Sequence, residues 1–150
     1  MKKKIIIAIL IFAAMVYIIK WYLTSDEDII RNMLAESKTW AEKKDLLHLL
    51  NHFDKNFIDD SGLTRDDIKV IAFRIFQQCE KVEVYYQEIS LSISGDNALL
   101  IVDIELYLTE SGTRKEVFKP FRNTSRFEVG LSKREGKWKF IKSKIPSDLN

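Results

Sequence analysis

Two histidines have the spacing that best suits metal binding in this chain. His48 and His52 stand four residues apart, so on a helix both would lie on one face and could share a metal ion. No glutamate follows His48 as it would in an H-E-x-x-H motif, and both histidines lie opposite the predicted apolar face of Leu46, Leu49 and Leu50. We therefore predict an exposed polar helix face, with no metal and no cofactor.

The carboxylates of Asp103 and Glu105 could act as an acid–base pair, because they are two residues apart on a predicted strand. They alternate with Val102, Ile104 and Leu106, which places them on the face opposite the core. A solvated or ion-paired outer face is predicted. The sequence identifies no catalytic residue, and it favours a non-enzymatic function without excluding an enzyme.

The predicted ligand pocket combines aromatic residues with groups near an irregular strand. From residue 82 the apolar residues alternate, but the alternation shifts between Tyr86 and Ile89, as it does at a β-bulge. The side chains next to that shift could face either way. The predicted pocket residues are Trp40, Phe73, Tyr85, Tyr86, Glu88 and Trp138.

The N-terminal residues form the longest apolar run in the chain. Three lysines at residues 2–4 precede uninterrupted apolar residues 5–19, and Lys20, Trp21 and Tyr22 follow. With this aromatic extension the run approaches the length of about 20 residues that a transmembrane helix needs. A cleaved signal peptide has a similar pattern, but the exit from this run lacks the small residues of a cleavage site.

We therefore predict a single-pass signal-anchor at residues 1–24 of a bacterial inner-membrane protein. The lysines before the run favour an N-terminus inside and a periplasmic or extracellular domain outside. Residues 25–146 form that domain, and residues 147–150 form a tail.

One cysteine, Cys79, excludes an internal disulfide and is predicted to be a small buried apolar residue. Nucleic acid is not an expected partner.

Charge is distributed unevenly along the domain. Residues 24–111 hold 9 lysines and arginines against 18 acidic residues, whereas residues 112–150 hold 11 against 4. One interpretation is a basic face for an anionic partner. The other, which we favour, is ion pairing between acidic and basic strands of one sheet. The basic face would consist of Lys115, Lys119, Arg122, Arg126, Lys137 and Lys139.

Capping signals and apolar spacing predict three helices after the anchor. Ser25 precedes a helix over residues 26–43, Asp45 one through Phe53, and Thr64 one that runs to about Gln78. The apolar arc of the third helix is wide, which indicates packing on more than one side. A short strand at residues 57–58 precedes this third helix.

Alternating residues then predict a series of strands. They cover residues 82–93, 98–108, 113–131 and 137–145, with turns at Gly95, Gly112 and Gly136. Pro120 interrupts the third of them, because proline cannot donate to a strand ladder. Helices followed by a run of strands indicate an α+β domain: three helices packed on a curved antiparallel sheet.

The chain resembles the NTF2-like (SnoaL-like) cone family over nearly all of residues 25–146. The resemblance rests on residues 45–50, 61–64, 95–98 and 135–141. It implies a sheet curved around helices to form a conical pocket, which relatives use for isomerases, dehydratases and hydrolases, or for binding and dimerisation. The inward residues are almost all apolar: Trp40, Phe53, Phe73, Phe76, Val102, Ile104, Leu106, Phe127, Val129, Trp138 and Phe140.

The sequence is compatible with two functions. The first is a membrane-anchored, non-catalytic interaction or scaffold module, with envelope proteins as partners or a homodimer formed through the open sheet face. The second is a small apolar-ligand binding protein, or an isomerase- or hydrolase-like enzyme, that uses the cone pocket. A pocket filled solidly by aromatic side chains would exclude the second function.

Overall fold

The computed structural model describes residues 2–23, 25–118 and 126–144, without the side chains of residues 2–5, 8, 19–23 and 118. The elements in chain order are α1 Lys2–Leu23, α2 Asp26–Glu42, α3 Leu46–Leu50, β1 Phe53–Asp59, α4 Arg65–Gln78, β2 Lys81–Ser94, β3 Asn97–Glu110, β4 Thr113–Phe118, β5 Arg126–Arg134 and β6 Lys137–Lys144.

Helices α2 and α4 begin at the residues that the capping signals predict. The Ser25 hydroxyl accepts the backbone N–H of Asp28 at 3.2 Å. At the start of α4, Thr64 and Asp67 form a reciprocal capping box, in which each side chain bonds to the other residue's backbone N–H. Because a capping box satisfies otherwise unpaired N–H groups, it determines where a helix starts from local sequence alone.

Helix α3 is shorter than predicted. Asp45 does cap it, accepting the backbone N–H of His48 at 3.1 Å, but the helix ends at Leu50 and Phe53 already belongs to β1. Phe53 packs edge-on against Phe57 and Phe140, with ring centroids 5.0 and 5.2 Å away. This aromatic packing between distant segments favours a strand where the local apolar spacing predicts another helical turn.

Helix α4 has the predicted bounds but not the predicted environment. None of its residues is fully buried, and the side chains of Val70, Ile71 and Phe73 are 44–54% exposed. Its contact side carries Ile68, Ile75 and Phe76, which pack against two separate clusters of buried residues. The expectation that α4 is covered on more than one side is therefore wrong, because only one side of the helix meets the sheet.

The sheet is mixed rather than antiparallel throughout. Its strand order is β1-β6-β5-β3-β2, and β4 also pairs with β3. All these neighbours are antiparallel except β1 and β6, which run parallel with Phe53 opposite Phe140. A parallel pair requires a long crossover connection, and here that connection is everything from α4 to β5. The predicted antiparallel sheet is corrected in this one pairing.

The long hairpin of β2 and β3 contains the predicted bulge. Tyr86 lies opposite Ile104 and Glu88 opposite Val102, but Ser90 lies opposite Ile101, so the register shifts between Glu88 and Ser90. The extra residue changes which β2 positions face the core, and it accounts for the shifted alternation in the sequence.

Strand β3 has one continuous partner on one side and two successive partners on the other. Its first half, up to Asp103, pairs with β5, and its second half, from Leu106, pairs with β4. The strand predicted over residues 113–131 is thus divided between β4 and β5. Pro120, the predicted cause of the interruption, lies outside the described residues.

The main core lies between α2 and the concave face of the sheet. Ile30 of α2 and Leu100, Val102 and Leu131 of the sheet are less than 2% exposed. Cys79 is buried in a second cluster with Val82 and Leu108, in keeping with its predicted role as a small apolar residue.

The predicted anchor segment forms α1, a helix of 22 residues. Each of its described side chains is exposed, including Leu10 and Phe12, which are 63% and 68% exposed. Within residues 2–23, 25–118 and 126–144, no helix is long and apolar enough to span a membrane.

Asp26 connects the start of α2 to the last hairpin of the sheet. Its Oδ1 accepts the Lys133 Nζ at 2.8 Å and the indole Nε1–H of the buried Trp138 at 2.9 Å. The hydrogen bonds from Lys133 and Trp138 lower the pKa of Asp26 below its ordinary value. The charged carboxylate is therefore the form that stabilises the fold.

Asp26→Ala should lower the free energy of unfolding by roughly 1–3 kcal/mol, because it leaves the Trp138 N–H buried without a partner. Urea titration of the full chain in mild detergent, followed by circular dichroism, measures the change. Since the folded-state pKa is depressed, the Asp26 contribution is present above about pH 4 and is lost as pH falls through the folded-state pKa.

The control is Asp66→Ala, which removes an exposed aspartate from the first turn of α4. We expect it to change stability by less than about 0.5 kcal/mol. An equal loss in both variants would mean that the Asp26 contacts do not hold α2 to the sheet.

Candidate functional site

An apolar cavity of about 280 Å³ lies between the helices and the concave face of the sheet. Helix α2 contributes Leu34, α3 contributes Leu49 and α4 contributes Ile68. The sheet supplies the remaining apolar lining, which consists of Phe53, Phe57, Val84, Val102, Ile104, Phe127, Val129 and Phe140. The side chains that the structure describes, in residues 2–23, 25–118 and 126–144, therefore do not fill the cone solidly.

The cavity lies where β3 changes partners. Phe127, opposite Val102, is near the start of β5, and Phe118, opposite Leu106, ends β4. Ile104 lies between these two pairings and opposite Tyr86 of β2. Alternate residues of β3 and β5 face inward at this point, and Val102, Ile104 and Phe127 border the cavity.

Four polar side chains also line the cavity: Ser37, Lys38, Tyr86 and Ser143. The Ser37 hydroxyl donates to the backbone carbonyl of Met33 at 2.8 Å. Lys38 forms an ion pair with Glu42 one helical turn further on, and its Nζ lies 5.6 Å from the centre of the Tyr85 ring. Lys38 is therefore already neutralised by a neighbouring carboxylate.

Tyr86 is the one exposed residue of the described lining, at 38% exposure, and so it marks the opening of the cavity. Its hydroxyl has no hydrogen-bond partner among residues 2–23, 25–118 and 126–144. A ligand could therefore bond to this hydroxyl while its apolar part occupies the cavity. An apolar interior with a few polar groups is typical of a small-molecule binding site.

Of the six predicted pocket residues, Tyr86 lines this cavity. Trp138 is buried in the core beside it and donates to Asp26. Trp40 stacks on the imidazole of His48, with ring centroids 4.5 Å apart. Phe73 lies on the exposed side of α4. Trp40, Phe73 and Trp138 therefore do not meet at one site.

The other two predicted pocket residues lie elsewhere on β2. Tyr85 points to the outer face, where it packs edge-on against Tyr107 at 6.0 Å. Glu88 accepts two hydrogen bonds at 3.0 Å from the guanidinium of Arg31 on α2. Tyr85 faces away from the cavity because it alternates with Tyr86 along β2, before the bulge. Glu88 has the same facing as Tyr86, but its carboxylate is held by Arg31 of α2 and it is not among the lining residues.

Six of the eleven residues that the sequence places inward do line the cavity, namely Phe53, Val102, Ile104, Phe127, Val129 and Phe140. Phe76 and Leu106 pack instead on the second cluster. Four further lining residues, Leu34, Leu49, Phe57 and Ile68, are not among the predicted pocket residues. The apolar spacing of the sequence indicates that these residues face inward. It does not indicate which inward residues border a cavity, because that depends on the tertiary packing.

The carboxylates that alternate with the core residues of β3 are paired on the outer face of the sheet. Asp103 accepts two hydrogen bonds from Arg126, at 3.0 and 3.2 Å. Glu105 accepts the hydroxyl of Tyr107 at 3.0 Å, and this hydrogen bond raises the pKa of Tyr107. Both carboxylates lie away from the apolar cavity.

The described residues of the predicted basic face do not form one continuous surface. Lys115 pairs with Glu110 at 2.6 Å, and Arg126 pairs with Asp103 across the β3–β5 pairing. Arg114 also spans β3 to reach Glu83 at 3.1 Å. These contacts are the cross-strand pairs that the charge pattern predicts. Lys137 and Lys139 lie together on β6, whereas Lys119 and Arg122 lie outside the described residues.

His48 and His52 do not face a common point. His48 Nδ1 lies 2.8 Å from Asp45 Oδ2, whereas His52 Nε2 faces Glu36 at 3.6 Å. No group of three or more histidine, cysteine or acidic residues within the described ranges could hold a metal ion. The side chain of His52 is only 15% exposed, so the prediction of an exposed polar face is wrong for this residue.

No protein-family model matches this chain, and a search of curated proteins gives no match. Solved structures do resemble it. A protein from Novosphingobium aromaticivorans described as a candidate scytalone dehydratase superposes with a TM-score of 0.69 at 15% identity, covering 80% of this chain and 82% of that one. A candidate aromatic ring hydroxylase from the same organism has a TM-score of 0.64 at 16% identity, covering 78% and 85%.

An NTF-2-like protein of unknown function from Shewanella oneidensis is also similar, with a TM-score of 0.60 at 12% identity, covering 80% of this chain and 98% of that one. At these identities the similarity establishes the fold, and the predicted NTF2-like cone is confirmed at that level. The activities of these proteins do not transfer with the fold.

His52 should make the stability of the domain depend on pH. Burial lowers the pKa of His52; Glu36 raises it to a smaller extent, and Lys139 lowers it further. Because the unfolded chain then binds a proton more readily than the folded chain, stability should fall as pH drops below about 6.5, the unfolded-state pKa.

The measurement is the melting temperature of the full chain in mild detergent between pH 8 and pH 5. His52→Gln should reduce the slope of this dependence, whereas Asn56→Gln, a control at an exposed residue of β1 that does not titrate, should leave the slope near that of the wild type. Equal slopes in the wild type and His52→Gln would refute the assignment.

Proposed function

We propose that this chain is a membrane-tethered NTF2-like domain that binds a small, largely apolar molecule in its cone. The observation that carries this proposal is the cavity of about 280 Å³ with an almost entirely apolar lining. An unfilled apolar space inside a protein forfeits packing contacts, so a ligand of matching shape gains free energy by entering it.

The polar groups at the cavity favour binding over catalysis. A general base needs a titratable group within reach of the substrate. Lys38 is already paired with Glu42, and the phenol of Tyr86 is the remaining ionisable group in the described lining. Tyr86 is suited to orient one polar atom of a ligand at the opening. Binding therefore requires nothing beyond the groups present.

The scaffold hypothesis has less support from the described contacts. Lys115 and Arg126, which belong to the predicted basic face, are engaged by acidic residues of the same sheet. Docking an anionic partner there would compete with those pairs. Envelope partners and a homodimer stay predictions.

The membrane tether is the second element of the proposal. Its support is the apolar sequence of residues 5–19 after three lysines, together with the exposed apolar side chains of α1. A helix that is apolar on all sides needs an apolar environment around it. The lysines place the N-terminus inside and the domain on the outer side of the cytoplasmic membrane in this proposal.

Filling the cavity should abolish ligand binding without unfolding the protein. Ile104→Trp places a larger side chain in the unfilled space, and we expect the free energy of unfolding to fall by no more than about 1–3 kcal/mol, the usual cost of enlarging a core side chain. The full chain is purified in mild detergent, and small molecules released from it are compared by mass spectrometry. Binding of fluorobenzene is measured in parallel by fluorine NMR.

The matched control is Leu99→Trp on the same strand, where the leucine is 42% exposed on the outer face. Wild type and Leu99→Trp should release the same molecule and bind fluorobenzene, and Ile104→Trp should do neither. Equal release and binding in all three proteins would refute the cavity as the binding site, as would their complete absence in the wild type.

Charged residues in α1 should release the protein from the membrane. Each lysine placed near the centre of a transmembrane helix costs about 2.5–3.5 kcal/mol, so Ile11→Lys combined with Met15→Lys opposes insertion. We expect the wild type and the control Leu47→Lys, at a site 72% exposed in the domain, to remain in carbonate-washed membranes. The double variant should not.

A wild-type protein that carbonate extracts would contradict the tether. A mature protein lacking the N-terminal segment by mass spectrometry would support the signal-peptide alternative instead.

A further inference from the structure

A second, polar pocket of about 330 Å³ lies outside the cone, between α2, the turn after α3 and β6. Its floor includes the buried side chains of Met33 and Trp138. The backbone N–H of Phe140 donates to the carbonyl of His52 at 2.9 Å and so holds the turn beside β6. The polar rim consists of Asn32, Glu36, Asn51, His52, Lys137 and Lys139.

The rim is rich in hydrogen-bond donors. Lys137 and Lys139 are two residues apart on β6, so both ammonium groups project from the same face of the strand. Lys139 donates to the backbone carbonyl of Asn51. The side-chain amides of Asn32 and Asn51 and the Lys137 ammonium have no partner among the residues that the structure describes. The rim therefore offers several hydrogen-bond donors, two of them on charged ammonium groups, to a ligand rich in acceptors.

Positive charge is concentrated around Lys139. Burial lowers the pKa of Lys139, and the nearby charges of Lys137 and Arg65 lower it further, whereas Asp54 opposes them. Glu36 is the one acidic residue of the described rim, and its side chain is 61% exposed beside His52. Because two like charges lie close together at a partly buried site, an anion bound between them would be stabilised.

We propose that this pocket binds a phosphate-type oxyanion through the ammonium groups of Lys137 and Lys139 and the amides of Asn32 and Asn51. The site is separate from the apolar cavity, with which it shares no lining residue. Two of the six residues that the sequence assigns to a basic face thus form a pocket of defined shape, in contrast to the ion-paired Lys115 and Arg126.

The phosphate group could come from a lipid headgroup or from a soluble compound. The apolar floor at Met33 and Trp138 would accommodate a short apolar portion next to the charged group in either case. Both sources carry the phosphate oxygens that the pocket would recognise, and short-chain lipids distinguish one source from the other.

Phosphate binding is measured on the full chain in mild detergent at constant ionic strength, with inorganic phosphate replacing chloride. Saturable changes in the amide NMR signals of Asn32 and Asn51 report the affinity. Lys137→Gln should weaken binding about tenfold, since it removes a charge-assisted hydrogen bond. Lys55→Gln, which removes an exposed lysine of β1, should not change the affinity.

Removal of the Glu36 carboxylate from the rim should change the phosphate affinity in the opposite direction. Glu36→Gln should bind phosphate more tightly than the wild type, because a repulsive charge is lost. Lys139→Gln should abolish binding; if that variant fails to fold, the exposed Lys137 and Glu36 variants still decide the outcome.

The absence of saturable binding in the wild type would refute the proposal. A loss of affinity in Lys55→Gln equal to that in Lys137→Gln, or weaker binding in Glu36→Gln, would also refute it.

The source of the phosphate is tested with two short-chain lipids, dihexanoyl phosphatidylglycerol and dihexanoyl phosphatidylcholine. Tighter binding of the anionic lipid than of inorganic phosphate, with weak binding of the zwitterionic one, indicates a lipid headgroup. Equal affinity for inorganic phosphate and the anionic lipid indicates a soluble ligand, because the lipid portion then adds nothing.

Discussion

Strand β3 is the constraint on which the arrangement of the domain depends. It pairs with β2 along one side and with β5 and then β4 along the other. Its inward residues Leu100 and Val102 are almost completely buried against α2. The change of partner beyond Asp103 lies next to Ile104 in the cavity wall. The same strand therefore contributes to the main core, to the curvature of the sheet and to the wall of the cavity.

The outer face of the same strands explains the uneven charge of the sequence. Acidic residues of β2 and β3 meet basic residues of β4 and β5, as in the pairs of Glu83 with Arg114 and Asp103 with Arg126. These pairs are exposed to solvent, so screening by water and salt keeps the contribution of each to stability small. Among the described residues, the basic side chains of β4 and β5 all form ion pairs, whereas those of β6 form none. The lysines of β6 are Lys137, Lys139, Lys142 and Lys144, and the first two border the polar pocket.

Local signals predicted the elements well where the local chemistry was sufficient. The N-cap residues Ser25 and Thr64 located the starts of α2 and α4, and the shifted alternation located the β2 bulge. They failed where a distant contact decided the outcome. Phe53 joins a strand because it packs on Phe140, and His52 is enclosed because β6 pairs beside it. The exposed side of α4 carries Phe73, whose residue type alone predicts burial.

The sequence by itself determined where the helices and most of the strands begin, which residues of the central strands face the core and that the domain is α+β. Those properties follow from caps, turns and periodicity, which act between residues close in the chain. Tertiary structure alone decided that β1 runs parallel to β6, that the cone contains unfilled space and that Lys139 and His52 border one pocket. The physical reason is that strand direction, cavity volume and desolvation depend on contacts between segments far apart in the chain.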